Sequence, residues 1–347
     1  MIRIRRSRIA AFLAVLCLII SQTGCNSNRN VRPVTGEEYY LDTICRISVY
    51  EINGGPDEAE AQEAIRLAFE RCKELDQKLT NKNDTSEVGQ INAAGGEWVA
   101  VSDDTIEVIK AGIRYGELSD GAFDITIGPV TDLWDFHAAE LGQEPVVPDR
   151  EVVDRALKHV DYRAVEIRDG EVRLNDPEAK LDLGGIAKGY VADEMTEVLE
   201  EAGVTSAIIN LGGNISAIGV KPDGSDFVIG IEKPYSDRTE MIGSTRVRDA
   251  TVVTSGVYER QFELDGKIYH HVLSTETGFP VETDLDAVSL VAAKGHSMDA
   301  DAMSTICLIK GLQDGKDFIE RTDGVEAAFC LADGTIERTE GMKLKDD

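Results

Sequence analysis

Lys180-Leu-Asp-Leu-Gly-Gly-Ile-Ala-Lys-Gly-Tyr-Val-Ala-Asp193 is the stretch around which this chain is organised. Leu181 and Leu183 alternate with polar neighbours as a short strand does, and Gly184 and Gly185 suit a turn too tight for a Cβ. From Ile186 the apolar residues take helical spacing. The expectation is a strand, a glycine turn and a helix start. A helix start presents backbone N–H groups without intrahelical partners, so it can receive an anion or leave a carbonyl free for a cation. Lys188 adds a mobile positive charge. Taken alone, two adjacent glycines more often mark a plain connection that only lets strand and helix pack closely.

The helix from Ile186 extends to about Ala202 on the stripe Tyr190, Val191, Met195, Val198 and Leu199. Upstream, Asp57 to Leu79 repeats apolar residues every three or four positions and reads as a long amphipathic helix; a second begins near Asp103 and ends near Leu118. Tyr39 to Tyr50 alternates as a strand. Asp169-Gly170, Asp265-Gly266 and Asp333-Gly334 each separate two alternating runs and signal hairpins. Leu285 to Ala293 reads as a strand, Met298 to Ile309 as a helix and Asp317 to Arg321 as a short one. Helices and hairpins interleave without strict strand–helix–strand alternation. The fold class expected is α+β, with mainly antiparallel or mixed sheets flanked by helices.

With 347 residues the chain has room for about two domains or one two-lobed domain. Its formal net charge is −28, and four of the 36 basic residues (Arg3, Arg5, Arg6 and Arg8) fall in the first eight positions. A basic patch for nucleic acid is therefore excluded, and a phosphate ligand must be held locally by backbone N–H groups, a few lysines or a metal. The arginines precede the apolar run Ile9 to Ile20, too short for a comfortable membrane span but suited to an export signal. Gly24-Cys25 is similar to a bacterial lipoprotein cleavage site, although Gln22 stands where Leu is usual. The expected organisation is a signal peptide at 1–24, a tether at 25–37 anchored to the membrane by lipid on Cys25, and one domain at 38–340. Cys45, Cys72, Cys307 and Cys330 lack Cys-x-x-Cys spacing and read as buried thiols, with a disulfide left open.

Asp301 and Thr305 are four apart on a helix, so their oxygens share one face and could bind a hard cation such as Mg²⁺. Two protein oxygens suffice only if substrate phosphates complete the shell; the plainer alternative is a helix-start acid and a threonine bonded to its own turn. His270 and His271 end a strand before a polar loop, where a histidine could act as a base near neutral pH.

Together these pieces form a resemblance. Ser119-Asp-Gly-Ala-Phe-Asp-Ile-Thr-Ile-Gly-Pro129, Leu133-Trp-Asp-Phe136, Leu181 to Tyr190, Gly212-Gly213-Asn214 and Thr254-Ser255-Gly256 stand in one order with His271, Thr277-Gly-Phe-Pro280 and Asp301-Ala-Met-Ser-Thr305. The chain resembles the ApbE family of FAD:protein FMN transferases over about Tyr40 to Gly311. The resemblance implies a two-lobed, extracytoplasmic, Mg²⁺-dependent enzyme, often a lipoprotein. It splits FAD, joins FMN through a phosphoester to a threonine of an acceptor protein, and releases AMP. The acceptor would be a subunit of a membrane redox complex or an extracytoplasmic flavoprotein. By motif position, Leu41, Ala122, Phe123, Asp124, Asp182 and Lys188 look like FAD contacts, and Gly185 through its carbonyl, Asp301 and Thr305 look like the metal set. His271 is the candidate base. Two departures stand out: Asp42 follows Leu41 where the family usually has Gly, and Ser274-Thr275-Glu276 replaces an Asp-Pro pair and its variable neighbour. The second removes a carboxylate that would serve the metal or orient the base. Two alternatives to the transferase remain at this point: a Mg²⁺-dependent FAD pyrophosphatase, and a non-catalytic flavin-binding lipoprotein.

Overall fold

The structure, a computed structural model, describes residues 32–134, 136, 144–236 and 240–345. The expected signal segment, Cys25 and the tether as far as residue 31 lie outside the described residues, as do Asp135 and residues 137–143. Its centre is one antiparallel sheet of eight strands: β1 (Val34–Tyr40), β2 (Thr43–Ile52), β3 (Val204–Leu211), β4 (Asn214–Gly219), β5 (Ala250–Gly256), β6 (Leu285–Ala293), β7 (Glu326–Leu331) and β8 (Ile336–Arg338). Spatial order follows chain order throughout, so the sheet is a meander interrupted by insertions. The first strand begins at Val34, four residues ahead of the expected domain boundary. Its pairing of Val34 with Val49 satisfies backbone that a tether would leave to water.

Three long helices cover one face. Helix α1 (Glu58–Leu79), capped by the Asp57 carboxylate on the Glu60 N–H, lies over β1 and β2. A further helix, α2 (Asp103–Leu118), flanks it. Helix α3 (Ala187–Glu201) lies over β3 and β4, and α4 (Ser297–Glu320) over β5 and β6. Strand alternation sets the layers: Cys45, Ile47 and Val49 point into the helix-side core while Ile44 and Arg46 face water. On the other face Val252 and Ala217 pack against the hairpin Phe227–Glu232 and Met241–Val247. The four described cysteines are buried and free.

Two expectations change. The run Leu181 to Leu183 joins no sheet; it is extended, with one parallel bridge from Lys180 to Ile127 and the Asn92 amide bonded to both backbone groups of Leu181. A side chain there does what a neighbouring strand would do. Tyr39 to Tyr50 is not one strand but two, folded at Leu41 and Asp42, both left-handed at φ 53° and 56°. The last helical region is two helices, as expected, divided at Gly311, where φ is 74° and ψ −178°; the second begins ahead of Asp317.

Helices α3 and α4 meet at Gly189. A Cβ there would lie 2.2 Å from the Ser297 carbonyl oxygen and 2.6 Å from the Met298 Cα. Both are backbone and cannot swing aside. Helix propensity alone favours Gly189→Ala by about 1 kcal/mol, while overpacking opposes it by about 1–3 kcal/mol or more where backbone must shift. Gly189→Ala is expected to lower the urea midpoint; an unchanged or higher midpoint would show that the two helices are not held at this contact.

Candidate active site

Beneath the sheet's first hairpin, between α3, α4 and the loop Ser119 to Thr131, lies a cavity of about 1130 Å³. All ten residues singled out in the sequence line it: Leu41, Ala122, Phe123, Asp124, Asp182, Gly185, Lys188, His271, Asp301 and Thr305. Their roles within it differ, as their hydrogen bonds show.

Asp301 is 2 % exposed, and its Oδ2 accepts the Gly189 N–H at 2.9 Å. In a regular helix that N–H would donate to the Gly185 carbonyl, four residues back. Because Asp301 takes it, no donor among the described residues reaches the Gly185 oxygen. Gly184 and Gly185 form the expected turn into α3, with neither of them left-handed. Space at Gly185 is tight: a Cβ would lie 3.0 Å from the Phe123 ring, close enough to press on it, and in ordinary contact with Thr305 Oγ1 at 3.6 Å. Thr305 donates only a long bond, 3.4 Å, to the Asp301 carbonyl. A free carbonyl, a buried carboxylate and a nearly free hydroxyl thus converge. These are hard oxygen donors that suit Mg²⁺ and too few to enclose it. Among the described residues no group of three or more His, Cys, Asp or Glu could hold a metal, so any cation here takes further ligands from substrate or water. Burial raises the Asp301 pKa above its ordinary value, against the pull of the Lys188 ammonium and the Gly189 N–H. Lys188 itself has no bonded partner among the described residues.

Helix α4 lacks a side-chain cap of its own at His296. Asp193, the last residue of the opening stretch, supplies one from α3: its two oxygens accept the Ser297 and Met298 N–H groups, each at 2.9 Å. Burial pushes its pKa up to about 6. Ser297 Oγ also bonds Thr251 on β5 and Ser216 on β4, at 2.6 and 3.0 Å. The helix that carries Asp301 is therefore pinned to α3 and to the sheet at its first turn.

Two of the expected contacts also accept hydrogen bonds from the protein itself, in part from segments distant in sequence. Asp124 accepts from the Thr126 N–H and hydroxyl on one oxygen and from the Tyr162 N–H on the other. Asp182 accepts from the Gly184 N–H and the Thr131 hydroxyl. Both shape the lining. Trp134 joins two motifs distant in sequence, donating its indole N–H to the Gly278 carbonyl at 2.9 Å and packing edge-on against Phe279.

His271 is half-buried at the end of the hairpin Gln261–Leu264 and Lys267–His270. Its Nδ1 bonds the Arg260 carbonyl at 3.2 Å, an acceptor, so Nδ1 carries the proton and Nε2 keeps its lone pair. Burial, with the Arg260 and Lys188 charges acting the same way, pushes its pKa down to about 3. A base near neutral pH was expected; burial makes His271 a weaker one, neutral near pH 7. Ser274 does not line the cavity. Its Oγ accepts the Glu276 and Thr277 N–H groups at 3.2 Å, as an aspartate would in the same turn, and Thr275 Oγ1 donates to the Gly121 carbonyl at 2.8 Å. The orienting partner of His271 is a backbone carbonyl, so it survives the lost carboxylate.

The sequence reading gave no role to Arg260, Asp193 or Asn214, or to the hairpin carrying Ile229 and Met241, which also walls the cavity. Asp193 and Asn214 stood inside quoted motifs, but nothing in their spacing shows which distant backbone they face.

A model of the ApbE family matches residues 41–329. Over 351 aligned residues the chain is 32 % identical to an FAD:protein FMN transferase of Treponema pallidum, spanning 96 % of this chain and 94 % of that protein. A second FAD:protein FMN transferase, from Klebsiella pneumoniae, is 33 % identical over 294 residues, 83 % of this chain and 87 % of its own. The crystal structure of the ApbE protein of Thermotoga maritima superposes with a TM-score of 0.79 at 32 % identity, covering 89 % of this chain and 97 % of that one. The apo flavinyl transferase ApbE of Pseudomonas stutzeri superposes with 0.76 at 28 % identity, covering 88 % and 94 %.

The folded protein binds a proton on His271 far more weakly than the unfolded chain, whose histidine titrates near about 6.5. This group therefore lowers stability progressively as pH falls below about 6.5, levelling off below about 3. In the ligand-free protein, NMR should show no His271 titration between about pH 8 and pH 5; a midpoint near 6.5 would contradict this environment.

Proposed function

The chain belongs to the ApbE family, and from that premise we propose how its own residues carry out the family's reaction. It is a transferase that moves the FMN part of FAD onto a protein acceptor and releases AMP. The observation that carries the residue-level reading is the convergence of the Gly185 carbonyl, Asp301 and Thr305 beside Lys188 and a neutral His271 in one cavity. That cavity exceeds the roughly 300–1,000 Å³ of ordinary small-molecule pockets, which suits a dinucleotide with an acceptor segment entering beside it.

In this reading Gly185, Asp301 and Thr305 hold Mg²⁺, which when bound would stabilise charge on the pyrophosphate and the departing AMP. Lys188 is placed to neutralise a pyrophosphate oxygen. Leu41, Phe123 and Ala122 supply apolar wall for the flavin half, while Asp124 and Asp182 keep the lining loop in shape. The acceptor's threonine oxygen bonds to the FMN phosphorus as the bond from that phosphorus to the bridging oxygen breaks. AMP leaves with that oxygen, and the threonine proton passes to His271 Nε2. A pKa near 3 suits that task only because the bound pyrophosphate brings negative charge close to the imidazole and raises its proton affinity.

The acceptor is proposed to be an extracytoplasmic flavoprotein or a subunit of a membrane redox complex. The enzyme itself is proposed to be exported and held at the membrane by lipid on Cys25. The basic and apolar start of the chain supports this, and among the described residues no helix is long and apolar enough to cross a membrane.

The test incubates the mature protein with FAD, Mg²⁺ and a threonine-bearing acceptor, measuring AMP by chromatography and flavin fluorescence on the denatured acceptor. EDTA should abolish both signals. Asp301→Ala should lower turnover about a hundredfold to a thousandfold or more with the fold retained. Turnover that ignores EDTA and tolerates Asp301→Ala would remove the metal assignment, and AMP with free FMN alone would make the site a hydrolase.

A further inference from the structure

Asn214 is 1 % exposed, and neither its Nδ2 nor its Oδ1 has a completed hydrogen bond. A buried amide with both ends unpaired is rare in folded proteins and calls for a reason. Its position follows from the register of strand and helix. Ser216 on β4 bonds Ser297 at the start of α4. Two residues back along the strand, on the same face, is Asn214; four residues on along the helix is Asp301. The strand step is about 6.7 Å and the helix step about 6 Å, so running in opposite senses they bring the amide beside the carboxylate. The Asn214 amide does lie at the Asp301 carboxyl, short of hydrogen-bond geometry. The Gly189 N–H holds one Asp301 oxygen. One bond leaves a carboxylate free to turn about its Cβ–Cγ axis, and a second fixes its plane.

We propose that Asn214 is a positioning residue for the cation site, its amide N–H turning onto the Asp301 carboxylate and fixing it in the orientation that binds Mg²⁺. The proposal rests on the assignment of Asp301 to the metal. It has a signature that a structural role lacks. A residue kept for stability weakens the fold when replaced. An amide left unpaired in the ion-free protein weakens it by being there, and an apolar side chain of similar shape relieves that strain while removing the carboxylate's second anchor.

The experiment titrates Mg²⁺ into wild type, Asn214→Leu, Asn214→Ala and Asp301→Ala in the presence of ADP, a non-reacting probe carrying a pyrophosphate, and reads the melting temperature and calorimetric affinity. Wild type should be stabilised by Mg²⁺, and Asp301→Ala should lose that response. Asn214→Leu should melt at or above wild type in EDTA and bind Mg²⁺ about tenfold to a hundredfold more weakly; Asn214→Ala should show the same loss of affinity. Wild-type Mg²⁺ affinity in both Asn214 variants would overturn the proposal alone. A Mg²⁺ response that is missing in wild type or kept in Asp301→Ala would overturn the metal assignment and the proposal with it. If both Asn214 variants fail to fold, Asn214 is a structural residue and the proposal falls.

Discussion

The active site depends on one close approach, the contact of α3 and α4 at Gly189. Only without a Cβ at Gly189 can Asp301 come near enough to take the Gly189 N–H. That single bond does two things. It holds a carboxylate that burial would otherwise disfavour, and it removes from α3 the donor that would have closed its first turn onto Gly185. The free carbonyl of Gly185 is thus a product of helix packing, and neither glycine of the pair has an unusual backbone angle.

Positive charge in the cavity is local, because its lining, like the protein as a whole, holds more carboxylates than cations. A chain with 64 acidic and 36 basic residues repels anions at long range. Inside, Lys188 and Arg260 act on His271 strongly enough, with burial, to keep it neutral. On the proposed reading a pyrophosphate beside Lys188 and Arg260 would meet that local positive charge, and its own negative charge would link proton affinity at His271 to substrate binding.

Much of this was legible in sequence. The amphipathic helices, the Asp-Gly hairpins and the strands β2 and β6 follow from periodicity and turn chemistry, which are local. The strands β4 and β5 were not seen, because Ser216 and Thr251 interrupt the apolar alternation with hydroxyls. Those hydroxyls are buried, and they are satisfied by Ser297 from a helix some fifty to eighty residues away. The ten motif positions did converge on one cavity. The internal bonds among them were invisible, since spacing does not show that Asp124 and Asp182 also accept from Thr126, Tyr162, Gly184 and Thr131. Sequence order carries which motifs meet; it does not carry which oxygens are already engaged.

The two departures from the family pattern show how such engagements are rebuilt. At Asp42 the backbone is left-handed, where Gly is easiest and Asp among the better tolerated of other residues. Burial works against the Asp42 charge, but Lys82 and Arg260 outweigh it and hold the carboxyl below its ordinary pKa. The Arg260 guanidinium reaches Asp42 at 3.3 Å while its carbonyl orients His271, so the substituted side chain steadies the backbone that sets the base. At Ser274 a hydroxyl accepts the same kind of turn N–H groups that a carboxylate would, and Thr275, with no proline ring, gains a hydroxyl that ties the turn to Gly121. In both places the altered residue bonds to backbone or to a charged side chain outside the set Gly185, Asp301 and Thr305. The chemistry-bearing oxygens are left as the packing of α3 on α4 arranges them.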